Sequence, residues 1–513
     1  MSEDQKKKPA PSEGKAINWY QLVFSKYKFK DILDLKITQG INEHATLFIS
    51  GILPKDDANT ENKDYVQTTD QNTPVTLKYI DNTGKENILF QGVVTSIKQW
   101  TMADVKHLNI EAISFSYLLD VKKLNRSFQR NGEPYSYLFD RINSLAREYV
   151  PNAQGDVVTA EEKYEEAITE CMLIQYQETD WQFLKRFASD FNIGLIPDIT
   201  FDSPKVYFGM PPQKEENEEE SSDNKKAGPE FNVSSYRVWR DTAAYATASS
   251  NCRKNSGVAL SENDFTYCDA QSLDLLQLGQ KVTFLGLTWY VKNIHTIMEK
   301  GAINSTYTLT TQQGLMQDDL YNTKIAGISL RGIIKVVTND QVQVHITEID
   351  DEWDDGSTWY FPYTTVYSSP DGSGWYCMPE VGDNVRIYFP SVKEEESVAA
   401  SSVNLTPSKR GKREDPDTKI ISTVYGKQVI LTPGGIQIIA NGNLLMTLTD
   451  EGGVSIKSDK KIILEADQDI EITSKTSKVL VNGKNEISLK QGGSEINIQK
   501  DINIKGNKVK IQP

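Results

Sequence analysis

Four histidines, His44, His107, His295 and His345, are the side chains of this 513-residue chain best suited to metal binding or proton transfer near neutral pH. They stand at least 50 residues apart, and none sits in an H-E-x-x-H pair. Zinc or nucleophile–base chemistry would therefore need the fold to bring distant segments together. The cysteines Cys171, Cys252, Cys268 and Cys377 form no C-x-x-C and read as free thiols of a reducing cytoplasm. One stretch concentrates carboxylates: Glu348, Asp350, Asp351, Glu352, Asp354 and Asp355. It could hold a calcium ion or act as a carboxylate pair, but its spacing is not that of an EF-hand loop, and a solvated loop is the plainer reading. GDNVR and GSGW resemble no phosphate loop. No catalytic residue, metal ligand or cofactor is expected, and no motif argues for an enzyme.

The elements around these residues say more. Apolar content is 38%, charged content 25% and net charge −15, which describes a soluble acidic protein and argues against nucleic-acid binding. Residues 1–16 are polar, with no apolar run of a signal peptide, and read as a flexible arm. No apolar stretch approaches the ~20 residues needed to span a bilayer. Assembly in the bacterial cytoplasm is the expectation.

The C-terminal segment has a beat. Apolar pairs recur at Val429/Leu431, Ile436/Ile438, Met446/Leu448, Val454/Ile456, Ile462/Leu464, Ile470/Ile472, Val479/Val481, Ile487/Leu489, Ile496/Ile498, Ile502/Ile504 and Val509/Ile511. Period-2 pairs mean short strands with one buried face, and repetition near eight residues means stacked repeats. Two inward residues per strand bury too little for a single-chain solenoid. Three chains wound about one axis, each supplying a face in turn, would make a narrow prism that admits Val, Ile and Leu but no aromatics. Residues 426–513 contain no Phe, Tyr or Trp. An ordinary β-sandwich is the alternative, and it would usually carry some aromatic core. The pairs are the candidate trimer core. Outward positions alternate Lys with Asp and Glu, a solvated face.

Upstream, residues 17–130 read as strands, with a hairpin signal at Val75–Tyr79 and Ile88–Phe90 around Asp81-Asn82-Thr83-Gly84. A helix over 135–149 puts Leu138, Ile142, Leu145 and Tyr149 on one face. A second begins at Thr179 with a capping box to Gln182, carries Trp181, Leu184, Phe187 and Phe191, and ends at Gly194. The acidic run 213–228 reads as a disordered surface loop. Strands resume over 232–312. Residues 325–392 suit a five-stranded barrel of the OB type, and 393–419 a polar linker into the 420–513 needle.

Three phrases carry a family resemblance: ILFQGVVTSIKQW (88–100), IQYQETDWQFLKRFASDFNIGLIPD (174–198) and GWYCMPEVGDNVRIYF (374–389), the last containing Pro379-Glu380-Val381-Gly382-Asp383. With the order of parts, they resemble the VgrG-type spike proteins of contractile injection systems and the hub-plus-spike of contractile phage tails. The resemblance covers nearly everything from residue 17 on. It implies a mainly β fold: tandem hub barrels with inserted helices over 17–320, an OB-fold barrel, and a trimeric triple-stranded β-helix needle. It also implies a homotrimer with a pseudo-six-fold platform for a hexameric tail-tube protein, baseplate neighbours, sometimes effectors, and a target-cell membrane to be punctured.

The sequence departs from the family in two ways. The gap between OB region and needle, and the end at Pro513, leave no room for an effector domain. The needle has no His for the His-x-His iron site of some phage spikes. A blunt end formed by Val509, Ile511, Gln512 and Pro513 is therefore expected to bind a PAAR-type tip protein. The function expected is a non-enzymatic spike. A β-helical receptor-binding tail protein is the alternative, though residues 426–513 offer no aromatic platform for a glycan. A cell-wall hydrolase is the third reading, and it would need a positioned carboxylate pair.

Overall fold

The computed structural model describes residues 16–55, 64–150, 155–213, 231–251, 260–405, 413–441, 444–498, 507, 508 and 510. The acidic run (from residue 214), Cys252, Ile502, Ile504, Val509, Ile511, Gln512 and Pro513 lie outside these. The chain divides into two compact units, Met1–Leu405 and Thr406–Pro513.

The first unit is built on one antiparallel sheet of eleven strands. Its first half runs Leu22–Phe24, Pro74–Ile80, Glu86–Met102, Val105–Ser114, Glu43–Ile52, Asp31–Gly40 in spatial order. Alternation makes this half: Leu35, Ile37, Leu47, Ile49, Val75, Leu77, Leu108 and Ile110 all point into one core. The second half, Leu287–Glu299, Ala302–Thr310, Thr266–Ser272 and Ser235–Arg240, with Lys281–Phe284 beside the first of these, has its own core around Trp289, Val291, Tyr307 and Leu309. Asp31–Gly40 pairs with Leu287–Glu299 from Asn293↔Gly40 to Ile297↔Lys36, so the two halves share a seam. These are the tandem halves expected of the hub. Among the described residues neither half is closed by its own strands into a separate barrel.

The expected hairpin forms, with Asp81 accepting from the Thr83 and Lys85 amides at 2.9 and 3.1 Å and from the Thr83 hydroxyl at 2.6 Å. Those hydrogen bonds hold its carboxyl down to about 2. The Gly92 of the QGVV phrase has a steric reason. A Cβ there would lie 2.0 Å from the carbonyl oxygen of Ile113 on the paired strand. Gly92→Ala is therefore expected to force strand Glu86–Met102 away from Val105–Ser114 and cost about 1–3 kcal/mol. Thermal unfolding within error of wild type would show that the sheet yields freely there.

Helix Ser136–Tyr149 buries Leu138, Phe139, Ile142 and Ala146. Helix Asp180–Asp190 opens with the expected capping box between Thr179 and Gln182 and buries Trp181, Phe183, Leu184 and Phe187. It stops at Asp190, four residues before the glycine expected to end it. Gly194 serves packing instead, since a Cβ would lie 2.3 Å from Ile41 Cγ2. The two helices meet in an aromatic core of Phe128, Tyr135, Phe139, Phe183, Phe187 and Phe208.

The OB region is a five-stranded antiparallel sheet ordered Phe361–Pro362, Gln341–His345, Ser329–Thr338, Asn384–Tyr388, Val398–Ala400. A bridge from Tyr363 to Ala399, with the Thr364 amide donating to Ala399 O at 2.8 Å, brings its two outer strands together. The stretch expected as a linker from 393 is thus corrected. Val398–Ala400 is a strand of this sheet, and Ala399 is fully buried in its core. Its Lys/Glu-rich approach looks solvated, but Glu394 is buried against an arginine.

Residues 419–457 form a five-stranded antiparallel meander, and Ile487–Gln491 pairs with Ser494–Ile498 as a hairpin. This corrects the expectation that each chain supplies one face in turn, at least over Val429–Ile456. There a single chain lays five consecutive strands side by side, because tight turns such as Thr449–Gly453 reverse it. Gly453 takes the positive φ of 72° that this turn requires. Residues 458–486, with the pairs Ile462/Leu464, Ile470/Ile472 and Val479/Val481, make no strand pairing among the described residues.

Candidate functional site

The four histidines do not converge, but one of them has company that sequence spacing hid. His44 Nδ1 lies 2.8 Å from Ser116 Oγ, and its Nε2 lies 3.5 Å from Asp120 Oδ2. These are the residue types of a hydrolytic triad. The setting is structural. Ser116 is buried and tied to Ser114 Oγ at 2.8 Å, the ring packs on Trp181 at 4.1 Å, and the Thr179 hydroxyl donates to Asp120. Burial pushes Asp120 up, but bonds from His44 and Thr179 outweigh it and leave the carboxyl below its ordinary value. No substrate can reach a serine packed this way. His107 stacks on Trp100, His295 Nδ1 is 3.3 Å from Thr38 Oγ1, and His345 Nε2 is 2.9 Å from Asp350 O.

The acidic cluster is not a solvated loop, and this corrects the sequence reading. Asp350 accepts from Ser127 N at 2.7 Å and Ser127 Oγ at 2.5 Å, while Arg130 grips Asp354 with two bonds of 2.9 and 2.8 Å. Glu348 takes the Arg331 amide and guanidinium. Gln129 O accepts from the amides of Thr358 and Trp359, and Asn131 exchanges two hydrogen bonds with Thr358. The cluster thus fastens the OB sheet to the segment after the first half of the hub. Met172 and Ile174 reach into the OB core from that side. A second fastener is buried: Arg186 pairs with Glu178 at 2.9 Å and Glu394 at 2.7 Å. Among the described residues no group of three or more His, Cys, Asp or Glu is placed to hold a metal ion.

Two neighbouring cavities of about 270 and 310 Å3 share Glu161, Met210 and Gln312. Glu161 is the carboxylate in their walls, paired with Lys163 at 2.9 Å. Glycoside hydrolysis would need a second one facing it.

The feature with most to do is on the C-terminal unit. Its meander aligns the pairs in two cross-strand rows. Ile421, Val429, Ile438, Met446 and Ile456 form one row; Leu431, Ile436, Leu448 and Val454, with Lys419 at the end, form the other. Residues two apart share a face, so both rows lie on the same side of the sheet. That face is uncovered in the single chain: Ile436 is 38% exposed, Ile438 45% and Val454 64%. Further along, Ile462, Leu464, Ile470, Ile472, Val479, Val481, Leu489 and Ile496 are likewise exposed. The sequence singled out these residues, and the structure aligns the first four pairs in register.

Comparison with known proteins agrees with this architecture. Residues 419–510 match the family described as "Uncharacterized protein conserved in bacteria (DUF2345)", the family of VgrG C-terminal domains. No curated protein matches the chain in sequence. Among solved structures, a chain of the Francisella PdpA–VgrG complex in its half-lidded form is similar at TM-score 0.51 and 10% identity, over 83% of this chain and 84% of that one. The lidded form gives 0.50 and 10%, over 83% and 76%. The E. coli c3393 protein, described as a component of the type VI secretion system, gives 0.48 and 13%, over 74% and 99%. The fold is that of the hub-plus-spike proteins of contractile injection machines. Within that class it is VgrG-type, a mainly β chain with DUF2345 at its C-terminal end.

Proposed function

We propose that the protein is a non-enzymatic trimeric spike of a contractile injection system. One observation carries the reading: two in-register apolar rows on a five-stranded sheet with nothing over them in one chain. Such a face is unstable in water and is buried when copies meet. Three copies around an axis cover it symmetrically, and small aliphatic side chains suit a narrow interior. On this reading the hub end seats a hexameric tail-tube protein among baseplate proteins. The needle end takes a PAAR-type tip protein or effector, and the assembly crosses the target-cell membrane. The solved relative whose name pairs VgrG with a second protein supports a partner-binding role. The buried setting of Ser116 and the lone cavity carboxylate favour a structural part over a hydrolase. The test is solution mass by light scattering, expected at three times the 57.8 kDa of one chain. A monomer at micromolar concentration rejects the reading.

A further inference from the structure

A second surface lacks cover, on the OB sheet. Between strands Phe361–Pro362 and Asn384–Tyr388 the chain makes a connection of some twenty residues, long for so small a sheet and of a length usually tied to function. Part of it is an arm that folds on itself. Ser368 bridges to Gly374, the Trp375 amide donates to Tyr367 O at 2.8 Å, and Ser369 N donates to Ser373 O at 2.9 Å. Tyr376 OH donates to Asn339 O at 2.8 Å and anchors the base. The arm is ordered, yet it presents large apolar side chains to water: Val366 at 88%, Tyr367 at 53%, Trp375 at 55% and Tyr376 at 70% exposed. From Thr364 to Cys377 its charged side chain is Asp371, in a chain of net charge −15.

We propose that this arm is a second contact between copies, in which Trp375 and Tyr376 of one copy pack on the OB sheet of the next. The proposal rests on the trimer reading above and adds a surface that the needle does not contain. Two arguments choose a second copy as the occupant. Acidic chains repel one another, and the arm is a nearly neutral patch where copies can approach closely. Copies joined through residues 419–457 are also tethered. About 14 residues separate Leu405 from Lys419, a reach of at most roughly 50 Å. The tether holds neighbouring OB sheets at an effective concentration on the order of millimolar, enough to close a contact too weak to form alone.

Cys377, exposed in the single chain at the end of the arm, reports the contact. Full-length protein is pulsed with a maleimide, and the label is located by peptide mapping, alongside mass by light scattering. In the trimer Cys377 is expected to react roughly tenfold or more slowly than in the monomeric double variant Ile436→Asp/Ile438→Asp. Trp375→Ser/Tyr376→Ser is expected to keep the trimeric mass and return Cys377 to the monomer's rate. A trimer whose Cys377 reacts at that rate without any arm substitution overturns the arm contact and leaves the needle reading standing. A monomeric wild type overturns both. Protection that appears only on adding a soluble glycan such as chitohexaose would give the arm a carbohydrate partner and overturn the proposal.

Discussion

Aspartate at both Ile436 and Ile438 is expected to turn the trimer into a monomer while leaving the first unit folded. The two side chains sit at the centre of the two apolar rows, opposite Leu431 and Leu448 in one and Val429 and Met446 in the other. Each buried aliphatic contributes roughly 1.5–3 kcal/mol, and threefold symmetry removes six of them. The variant also places six carboxylates in a space without counter-charges, which costs far more than the lost contacts. Residues Met1–Leu405 form a separate compact unit, so their far-UV signal and thermal transition should persist. Light scattering reports the mass. A variant that stays trimeric would show that the rows are not the interface.

That face was legible because alternation survives any arrangement of its strands. The pairs from Val429/Leu431 to Val454/Ile456 mark one side of a sheet whether neighbouring strands come from the same chain or from another. For the same reason the pattern could not say which, and the in-chain meander was set by reversals such as Thr449–Gly453 that give no apolar signal. Helix Asp180–Asp190 was legible through its capping box, a contact across three residues. The joint between hub and OB sheet was not. Arg130 and Asp354 are 224 positions apart, Arg186 and Glu394 are 208 apart, and nothing local to a run of carboxylates tells whether arginines will meet it. The His44–Ser116 contact was hidden by the same kind of distance, 72 positions.

Arg186→Met should open the joint, and its defect should depend on pH. Arg186 is almost fully buried, with Glu178 on one side and Glu394 on the other, and its Nη2 also donates to Ile174 O at 2.7 Å. Burial alone would lower its basicity, but the two carboxylates outweigh that and hold it charged. Removing one partner of a buried ion pair typically costs about 3–5 kcal/mol, and here two carboxylates are left without it. Burial already holds the Glu394 carboxyl above its ordinary value in spite of Arg186, and losing the arginine raises it further. A carboxyl whose folded value is raised favours the folded state below its unfolded value, and that contribution is lost as pH rises through the folded one. The variant should therefore be weakest at neutral and alkaline pH and recover toward wild type as pH falls. Because a chain of several domains need not unfold in one step, hydrogen exchange of Asn384–Ala400 is the better readout than a single melting temperature. Faster exchange at pH 8 that narrows at pH 5, and a partial rescue by adding Glu394→Gln, are the expected results. Equal protection in variant and wild type at pH 8 would mean that the hydrogen bonds of Asp350, Asp354 and Gln129 hold the OB sheet without the buried arginine.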